Sequence, residues 1–505
     1  MKGLTLGAIA RRNARDNPDA EAIVEPTGDR RAVTFEEFDR RTNRLANVLL
    51  AHGLEKGDAV AMYLRNSIET LEIFVGAAKA GVLPVPINHR FKNEEVAYVL
   101  RDSNASLLLF DSNSADVVGE IVDRDIPAEE FLFVGNNAPE FASSYRNVRD
   151  RADSSRPPVE STRLDLAAML YTSGTTGKPK GCLFSHDNLL QNVENTVYDI
   201  GLDPDERFLV MTPLFHVAAF SLFLDSFYVG AKTLVIADFE PRRILEVIED
   251  ERVTGSFIVP TQSRALLDVD RIGAYDLSSF RRYWTGTAPS EAQLKRDIID
   301  AFDCELTEMF GQTELSPLTL VLTPEHAFDK INTVGRPLFN VSVKLVDKDG
   351  VEVKQGEPGR IAYAGPTVFE GYHGRPEENE KVFDGEWFVS SDLMREDEDG
   401  FYEFLGRADD MIISGGENIH PAEIEEVLHE HPAVDSAAVL GVPDETWGER
   451  VKAVVVPERG ASIDADEVVD HVARHLAGYK KPREVKIRDE LPRNPTGKVI
   501  KDQLR

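Results

Sequence analysis

A chain of 505 residues with 88 acidic against 57 basic side chains carries a net charge of −31, so its surface repels nucleic acid, while 42% hydrophobic residues suffice to pack two or more domain cores. No apolar run approaches the roughly 18 to 20 residues needed to span a bilayer, and the opening Met1-Lys2-Gly3-Leu4-Thr5-Leu6 leads into an Arg-rich amphipathic segment without a signal-peptide core, which makes a cytoplasmic location the default expectation. Cys182 and Cys304 stand far apart without cysteine neighbours, which excludes a disulfide framework or a thiolate zinc site and marks both as buried small residues.

The first half alternates helical and strand patterns. Thr34-Phe35-Glu36-Glu37 reads as a capping box, after which Phe35, Phe38, Leu45, Val48 and Leu49 fall on one helical face. Ala59 to Leu64 reads as a strand, Ser67 to Ala80 as a helix, Val82 to Ile87 as a strand, Asn93 to Arg101 as a helix and Leu107 to Phe110 as a short buried strand. Such alternation implies parallel sheets covered by helices. The polar stretch from about Asn136 to Asp165, with Pro157-Pro158, reads as a surface connection between subdomains. Strand-like segments resume at Leu209 to Thr212, Thr233 to Ala237 and Ser256 to Val259.

Past Thr333 the texture changes to short strands with Gly and Asp turns, as at Val341 to Val346 followed by Asp347-Lys348-Asp349-Gly350, which predicts a small β-rich subdomain. From Gly406 onward a compact α+β pattern is expected: a helix begun by Pro421 with Ile424, Val427 and Leu428 inward, strands at Ser436 to Leu440 and Val451 to Val456, and a helix from Asp464 to Leu476. The fold class is therefore α/β. A large N-terminal domain of stacked mixed and parallel sheets, residues 1–405, carries the β-rich subdomain and precedes a small α+β domain, residues 406–505.

Chemistry concentrates first in Tyr171-Thr172-Ser173-Gly174-Thr175-Thr176-Gly177-Lys178-Pro179-Lys180-Gly181. Glycines let backbone approach phosphate oxygens, hydroxyls donate to them and lysines neutralise them. A Walker loop is excluded, because the glycine it needs five residues before the Gly177-Lys178 pair is replaced by Thr172.

The segment resembles the phosphate loop of the adenylate-forming superfamily, which includes acyl- and aryl-CoA synthetases, luciferases and peptide-synthetase adenylation domains. Further segments resemble that superfamily's motifs in the same order. Met309-Phe310-Gly311-Gln312-Thr313-Glu314 is similar to its aromatic-Gly-x-Thr-Glu segment, with Phe310 where Tyr is commoner. The resemblance places Phe310 and Gly311 against adenine, Thr313 at the α-phosphate, and Glu314 with Thr176 on Mg²⁺, a hard cation suited to carboxylate and phosphate oxygens. Trp387-Phe388-Val389-Ser390-Ser391-Asp392 resembles a Thr-Gly-Asp segment whose Asp binds ribose, with two serines in place of Thr-Gly. Gly406-Arg407-Ala408-Asp409-Asp410 resembles the interdomain hinge. Arg407 would reach ribose or phosphate, and the backbone of Asp409 would rotate.

Ser414-Gly415-Gly416-Glu417-Asn418 is similar to the turn that admits the pantetheine arm of coenzyme A, and Asn418 is also assigned to the acyl pocket. Pro492-Arg493-Asn494-Pro495-Thr496-Gly497-Lys498 resembles the carboxy-terminal loop whose lysine, here Lys498, catalyses adenylation. Trp447, Tyr479, Lys481 and Arg483, with Arg90 from the large domain, resemble coenzyme A contacts of chlorobenzoate-type ligases. A basic cluster in so acidic a chain suits a ligand bearing several phosphate charges.

Pro213-Leu214-Phe215-His216-Val217-Ala218-Ala219-Phe220 resembles the border of the acyl site, where His216 guides the carboxylate or gates the pocket. Gly286-Thr287-Ala288-Pro289 resembles the wall facing both acyl group and adenine. Small residues at Ala218, Ala219, Gly286 and Ala288 leave space, and Phe215 and Phe220 make it apolar.

The resemblance thus implies an ATP- and Mg²⁺-dependent acyl-CoA synthetase with coenzyme A as co-substrate and a medium- or long-chain fatty acid favoured. An aromatic acid, or loading of a carrier protein, is the alternative. The chain reaches Arg505 seven residues after Lys498, which leaves an appended carrier domain unexpected; no integral membrane segment is expected, and a homodimer is kept open. The acids are scattered along the chain rather than gathered in a tail, as expected of a surface adapted to high salt.

Overall fold

The structure, a computed structural model, describes residues 3–172, 178–286, 292–414, 417–444, 447–476, 478–493 and 499–505, and the side chains of 409, 413, 417 and 418 fall outside that set. Among the described residues five sheets form. A nine-stranded sheet runs in the order Arg336–Pro337, Leu318–Leu322, Glu305–Gly311, Arg282–Gly286, Gly255–Phe257, Arg207–Val210, Lys232–Val235, Glu21–Glu25, Arg31–Thr34. Its interior pairings are parallel and its edges antiparallel. A second sheet is wholly parallel, in the order Leu83–Pro86, Ala59–Tyr63, Leu107–Asp111, Glu130–Val134, Ser143–Ser144.

Why these strands are apolar throughout is visible in Ala59–Tyr63, buried at every residue. Val60 and Met62 enter one core while Ala59, Ala61 and Tyr63 enter another, as a strand covered on both faces requires. The expected β-rich subdomain is an antiparallel sheet of Ser342–Val346, Gly359–Ala364 and Trp387–Glu396, joined by Phe383–Asp384 and Tyr402–Arg407. Its Asp347 to Gly350 turn closes with Gly350 at φ +81° and its N–H on the Asp347 carbonyl. A three-stranded sheet of Leu166–Thr172, Lys180–Ser185 and Gly371–Tyr372 carries the hairpin whose tip is the glycine-rich segment.

The small C-terminal sheet comprises Glu417–Ile419, Ile412–Ser414, Gly448–Pro457 and Val434–Asp444, with Glu484–Ile487 added beside Gly448–Pro457. It has its own core, in which Ile424 and Leu428 of helix Pro421–His429 meet Val468 and Val472 of helix Ala465–His475. Asp464 caps the second helix by accepting from the Glu467 N–H.

Two expectations are corrected. The capping box at Thr34 is half made: Thr34 accepts from the Glu37 N–H, but the Glu37 carboxylate accepts from Arg41 at 2.8 Å, a partner one turn on that outcompetes the backbone. The stretch 136–165 is not merely a surface connection. It contains strand Ser143–Ser144 and helix Tyr145–Arg151, with Tyr145 and Arg149 buried because Glu72 pairs with both. Strand ends also shift: Leu209 to Thr212 is found as Arg207–Val210, since pairing rather than apolar content sets where a strand stops. Cys182 is buried and Cys304 half-buried; burial pushes both thiols up, Cys304 to about 12, which removes them as thiolate nucleophiles. Among the described residues no helix is long and apolar enough to cross a membrane.

One core histidine ties the fold to pH. His186 opens helix His186–Thr196, and its Nδ1 accepts from the Leu6 N–H at 3.4 Å, which ties in the first helix. Burial holds its pKa down at about 4. Between pH 4 and 6.5 the unfolded imidazole is protonated and the folded one is not, so stability rises with pH across that window and is lost as pH falls through it. The expected contribution is about 3 kcal/mol over the window, about 1.4 kcal/mol per pH unit. Chemical denaturation of the wild type between pH 4.5 and 7 should show at least this slope, and His186→Gln should lower it by about 1.4 kcal/mol per pH unit, leaving the like contribution of buried His216, whose pKa is held at about 3. An unchanged slope in the variant would assign the acid sensitivity to other groups.

Candidate active site

The hairpin Leu166–Thr172 and Lys180–Ser185 pairs Thr172 opposite Lys180. The tip residues Ser173, Gly174, Thr175, Thr176 and Gly177 lie outside the described residues. Tyr372 pairs with Cys182 on the far side of Lys180–Ser185, and the His373 N–H meets the Gly181 carbonyl, which sets Tyr372 under the hairpin. The Tyr372 hydroxyl donates to Glu314 Oε1 at 2.7 Å, and Lys180 Nζ lies 4.3 Å from the centre of its ring. Burial, and then the Glu314 carboxylate, push the phenol pKa far up, so it stays a donor. Lys180 is held by Glu378 at 2.6 Å, and Lys178 lies over the Tyr98 ring at 5.0 Å. Lys180, Tyr372 and the Glu314 carboxylate therefore share one wall.

Glu314 sits in the short turn Thr313–Leu315, two residues beyond Gln312. Gln312 Nε2 donates to Asp392 Oδ2 at 2.5 Å and to Ser390 Oγ at 2.6 Å. Asp392 stands opposite Arg407 across neighbouring strands, with 3.6 Å between Arg407 Nε and Asp392 Oδ1, while Arg407 donates to Ser391 Oγ at 2.7 Å. The serines that replace Thr-Gly thus orient both charged groups. Phe310, half-buried, meets Phe404 at 5.8 Å and 43°. At Gly311 a Cβ would come within 1.9 Å of the Pro317 carbonyl oxygen, so only glycine fits there.

His216 caps the start of helix Val217–Val229 and lies 4.3 Å from Phe215, which in turn meets His89 at 5.3 Å. Its Nε2 is buried without a partner among the described residues. Burial, and then the charge of nearby Arg90, hold its pKa at about 3, so the imidazole is neutral near pH 7. Ala218 is half-exposed on the same helix, whereas Ala219 is fully buried. Phe220 departs from expectation. It is fully buried and stacks on Phe74 at 4.2 Å, on the helix face opposite Ala218, so it packs the core instead of walling a pocket.

Gly286 ends strand Arg282–Gly286; a Cβ there would meet the Met309 carbonyl oxygen at 2.2 Å and Phe257 at 3.5 Å. Thr287, Ala288 and Pro289 lie outside the described residues, as do Gly415, Gly416 and Lys498 and the side chains of Asp409 and Asn418.

In the small domain Ser414 pairs with Gly448, which brings Ser414 beside the strand that follows Trp447. Trp447 is 42% exposed, and the Arg483 guanidinium lies over its ring at 5.0 Å. Tyr479 and Lys481 are exposed on the segment leading to Arg483. Arg90 is exposed in the large domain near His216 and His89.

Tyr372, Gln312 and His89 carry no expected role from the sequence. Only Gln312 lay inside a recognisable motif; the other two are brought in by strand pairing and packing. For Mg²⁺ the fit is good. Glu314 offers a half-buried carboxylate with one oxygen on Tyr372 and the other turned to no partner among the described residues. One carboxylate plus phosphate oxygens is the set Mg²⁺ favours over an all-protein cage, and no cluster of three or more metal-ligating side chains occurs among the described residues.

Comparison with known proteins gives two family matches: AMP-binding enzyme over residues 10–373 and AMP-binding enzyme C-terminal domain over residues 423–498. The chain is 38% identical to a feruloyl-CoA synthase of Amycolatopsis sp. over all of this chain and 99% of that protein. It is 34% identical to the long-chain-fatty-acid–CoA ligase FadD13 of Mycobacterium tuberculosis, over 99% and 98% of the two chains. Among solved structures, the anthranilate CoA ligase AuaEII in complex with anthranoyl-AMP superposes with a TM-score of 0.92 at 27% identity, over 100% of this chain and 97% of that one.

Proposed function

This chain belongs to the AMP-binding enzyme family, and from that premise we propose that it is an ATP-dependent, AMP-forming ligase joining an apolar carboxylic acid to coenzyme A. The observation that carries the proposal is the bridge made by residues 310–314: Gln312 holds the Asp392 side while Glu314 holds the Tyr372–Lys180 side. One segment thereby spans a ribose end and a phosphate end.

In the first step the acid's carboxylate attacks the α-phosphorus of ATP, the bond to pyrophosphate breaks, and an acyl-adenylate remains. Asp392 accepts from both ribose hydroxyls, Arg407 leaves Ser391 for ribose or phosphate, and Phe310 with Gly311 borders the adenine. Lys178, Lys180 and the loop 172–177 neutralise the β- and γ-phosphates, for which Lys180 must exchange Glu378 for substrate. Thr313 and Lys498 meet the α-phosphate. Glu314 and Thr176 would hold Mg²⁺, which would supply charge neutralisation for the phosphates. Neutral His216 excludes water from the acyl carbonyl.

In the second step residues 406–505 turn about Asp409 in a lid-type motion, and Ser414 to Asn418 replace the lysine loop. The thiol of coenzyme A then attacks the acyl carbonyl and AMP departs. Trp447, Arg483, Lys481, Tyr479 and Arg90 hold the coenzyme A nucleotide by stacking and charge.

For the acid, a medium- or long-chain fatty acid is supported by the relative named for long-chain fatty acids, and an aromatic acid by the relatives named feruloyl-CoA synthase and anthranilate CoA ligase. The test is pyrophosphate release with ATP, Mg²⁺ and a panel of fatty and aromatic acids, with and without coenzyme A, at low and high KCl. Multiple turnovers that depend on coenzyme A are expected on one acid class. A single turnover that coenzyme A leaves unchanged would instead assign carrier-protein loading, the activity named in a relative 31% identical. Activity that rises with KCl is expected from the −31 charge, because screening relieves self-repulsion; a maximum in dilute buffer would overturn that adaptation.

A further inference from the structure

Helix Asn93–Ser103 carries Tyr98 and Asp102 one turn apart, so both side chains leave the same face. That face meets the glycine-rich hairpin on both of its arms. The Tyr171 hydroxyl, ahead of residues 173–177 in the chain, donates to Asp102 Oδ2 at 2.8 Å. The Pro179 carbonyl, behind them, accepts from the Tyr98 hydroxyl at 2.9 Å, a shorter contact than the 3.4 Å from that hydroxyl to Asp102. Tyr171 pairs with Gly181 across the hairpin. A Cβ at Gly181 would lie 3.2 Å from the ring carbon that bears the Tyr171 hydroxyl, so the missing side chain makes way for the ring.

Arg375 ties the two contacts together. Its guanidinium donates to Asp102 Oδ1 and, at 3.2 Å, to the Tyr98 oxygen, which leaves the Tyr98 proton for Pro179. Asp102 thus serves Arg375 with one oxygen and Tyr171 with the other, and its side chain is only 9% exposed. Both lysines that flank Pro179 border this cluster. Lys178 Nζ lies 5.0 Å from the centre of the Tyr98 ring, and Lys180 is held at 2.6 Å by Glu378, itself 3.9 Å from Arg375. A ring face holds an ammonium without neutralising it, so the charge of Lys178 stays available to a ligand phosphate.

We propose that Tyr98, Asp102 and Arg375 are positioning residues for the triphosphate: by gripping the hairpin on both sides of residues 173–177, they hold Lys178 and Lys180 where the β- and γ-phosphates of ATP bind. The inference rests on the adenylation reading above and adds to it the residues through which helix Asn93–Ser103 serves the nucleotide. The three act through the two lysines. Their effect is therefore confined to ligands that carry the β- and γ-phosphates, which AMP and the acyl-adenylate lack.

The experiment is titration calorimetry of ATP and of AMP, each with Mg²⁺ in the buffer, so that neither the acid nor the acceptor has to be known. Asp102→Ala should weaken ATP at least about tenfold, because it costs the hairpin a hydrogen bond to a charged group, and should leave AMP within about twofold. Tyr98→Phe keeps the ring beside Lys178 and the Asp102–Arg375 pair, and serves if the alanine variant does not fold. It should weaken ATP by about threefold or more, on the scale of one neutral hydrogen bond, again sparing AMP. Coenzyme A consumption from a supplied acyl-adenylate should stay within a few-fold of wild type in both variants, since that step involves neither of the phosphates. A residue that merely holds the fold together would move ATP and AMP alike. Equal losses for the two nucleotides, or folded variants that bind ATP as the wild type does, would overturn the positioning role. A wild type that binds neither nucleotide would strike the adenylation reading, and this role with it.

Discussion

Lys498→Ala should slow acyl-adenylate formation by about 10²- to 10³-fold while leaving thioester formation from a preformed acyl-adenylate within a few-fold of wild type. The reason is electrostatic. A carboxylate approaching the α-phosphorus of ATP meets a polyanion, and negative charge is redistributed as the bond to pyrophosphate breaks. A lysine ammonium placed between the two lowers the transition state more than the ground state, which is the condition for a change in kcat rather than in KM alone. The second half-reaction needs no such contact, because pyrophosphate has gone and the nucleophile is a thiol.

The measurement is quenched-flow pyrophosphate release for the first step, and coenzyme A consumption from supplied acyl-adenylate for the second. Equal losses in both would remove Lys498 from its role and with it the two-position cycle of the small domain. Asp392→Ala provides the contrast. Asp392, held between Gln312 and Arg407, is the residue proposed to bind the ribose that both half-reactions share, so both should weaken together.

What the sequence made legible followed from how local each feature is. The phosphate hairpin, the segment 309–314 and the helix begun by Pro421 are contiguous, and their residue types reflect backbone demands that a single segment must meet alone. Gly311 is an example, since Pro317 leaves no room for a Cβ. Pairing across the fold was not legible. Tyr372 reaches Glu314 only because a two-residue strand, Gly371–Tyr372, adds to a hairpin almost two hundred residues earlier. Phe220 was misassigned because a motif places a helix but not the face each residue takes, and its side chain follows the helical turn to Phe74. Arg149 was lost by composition, since a charged residue in a polar stretch reads as solvated unless its partner is known.

That partner gives the second large effect. Glu72, on helix Ile68–Ala80, is fully buried and accepts from Arg41 at 3.0 Å, from Arg149 at 2.6 Å and from the Tyr145 hydroxyl at 3.0 Å. Three helices are joined at one carboxylate: Phe35–Ala51 through Arg41, Ile68–Ala80 through Glu72, and Tyr145–Arg151 through the other two. Arg149 is itself buried, with Asp150 at 2.9 Å as its only other carboxylate among the described residues. Glu72→Ala therefore leaves two guanidiniums facing each other around a void, and the expected loss is about 3 to 5 kcal/mol, the cost of stranding a buried charge. Glu72→Gln keeps an acceptor and should cost less. Replacing Arg149 with Met in the Glu72→Ala background should recover much of the loss, because a buried pair removed whole costs far less than one broken. Chemical denaturation of the wild type, Glu72→Ala, Arg149→Met and the double variant closes the cycle. A Glu72→Ala cost below about 1 kcal/mol, the scale of an exposed ion pair, would show that water reaches the arginines. The segment 136–165 would then be the surface connection that its composition suggested.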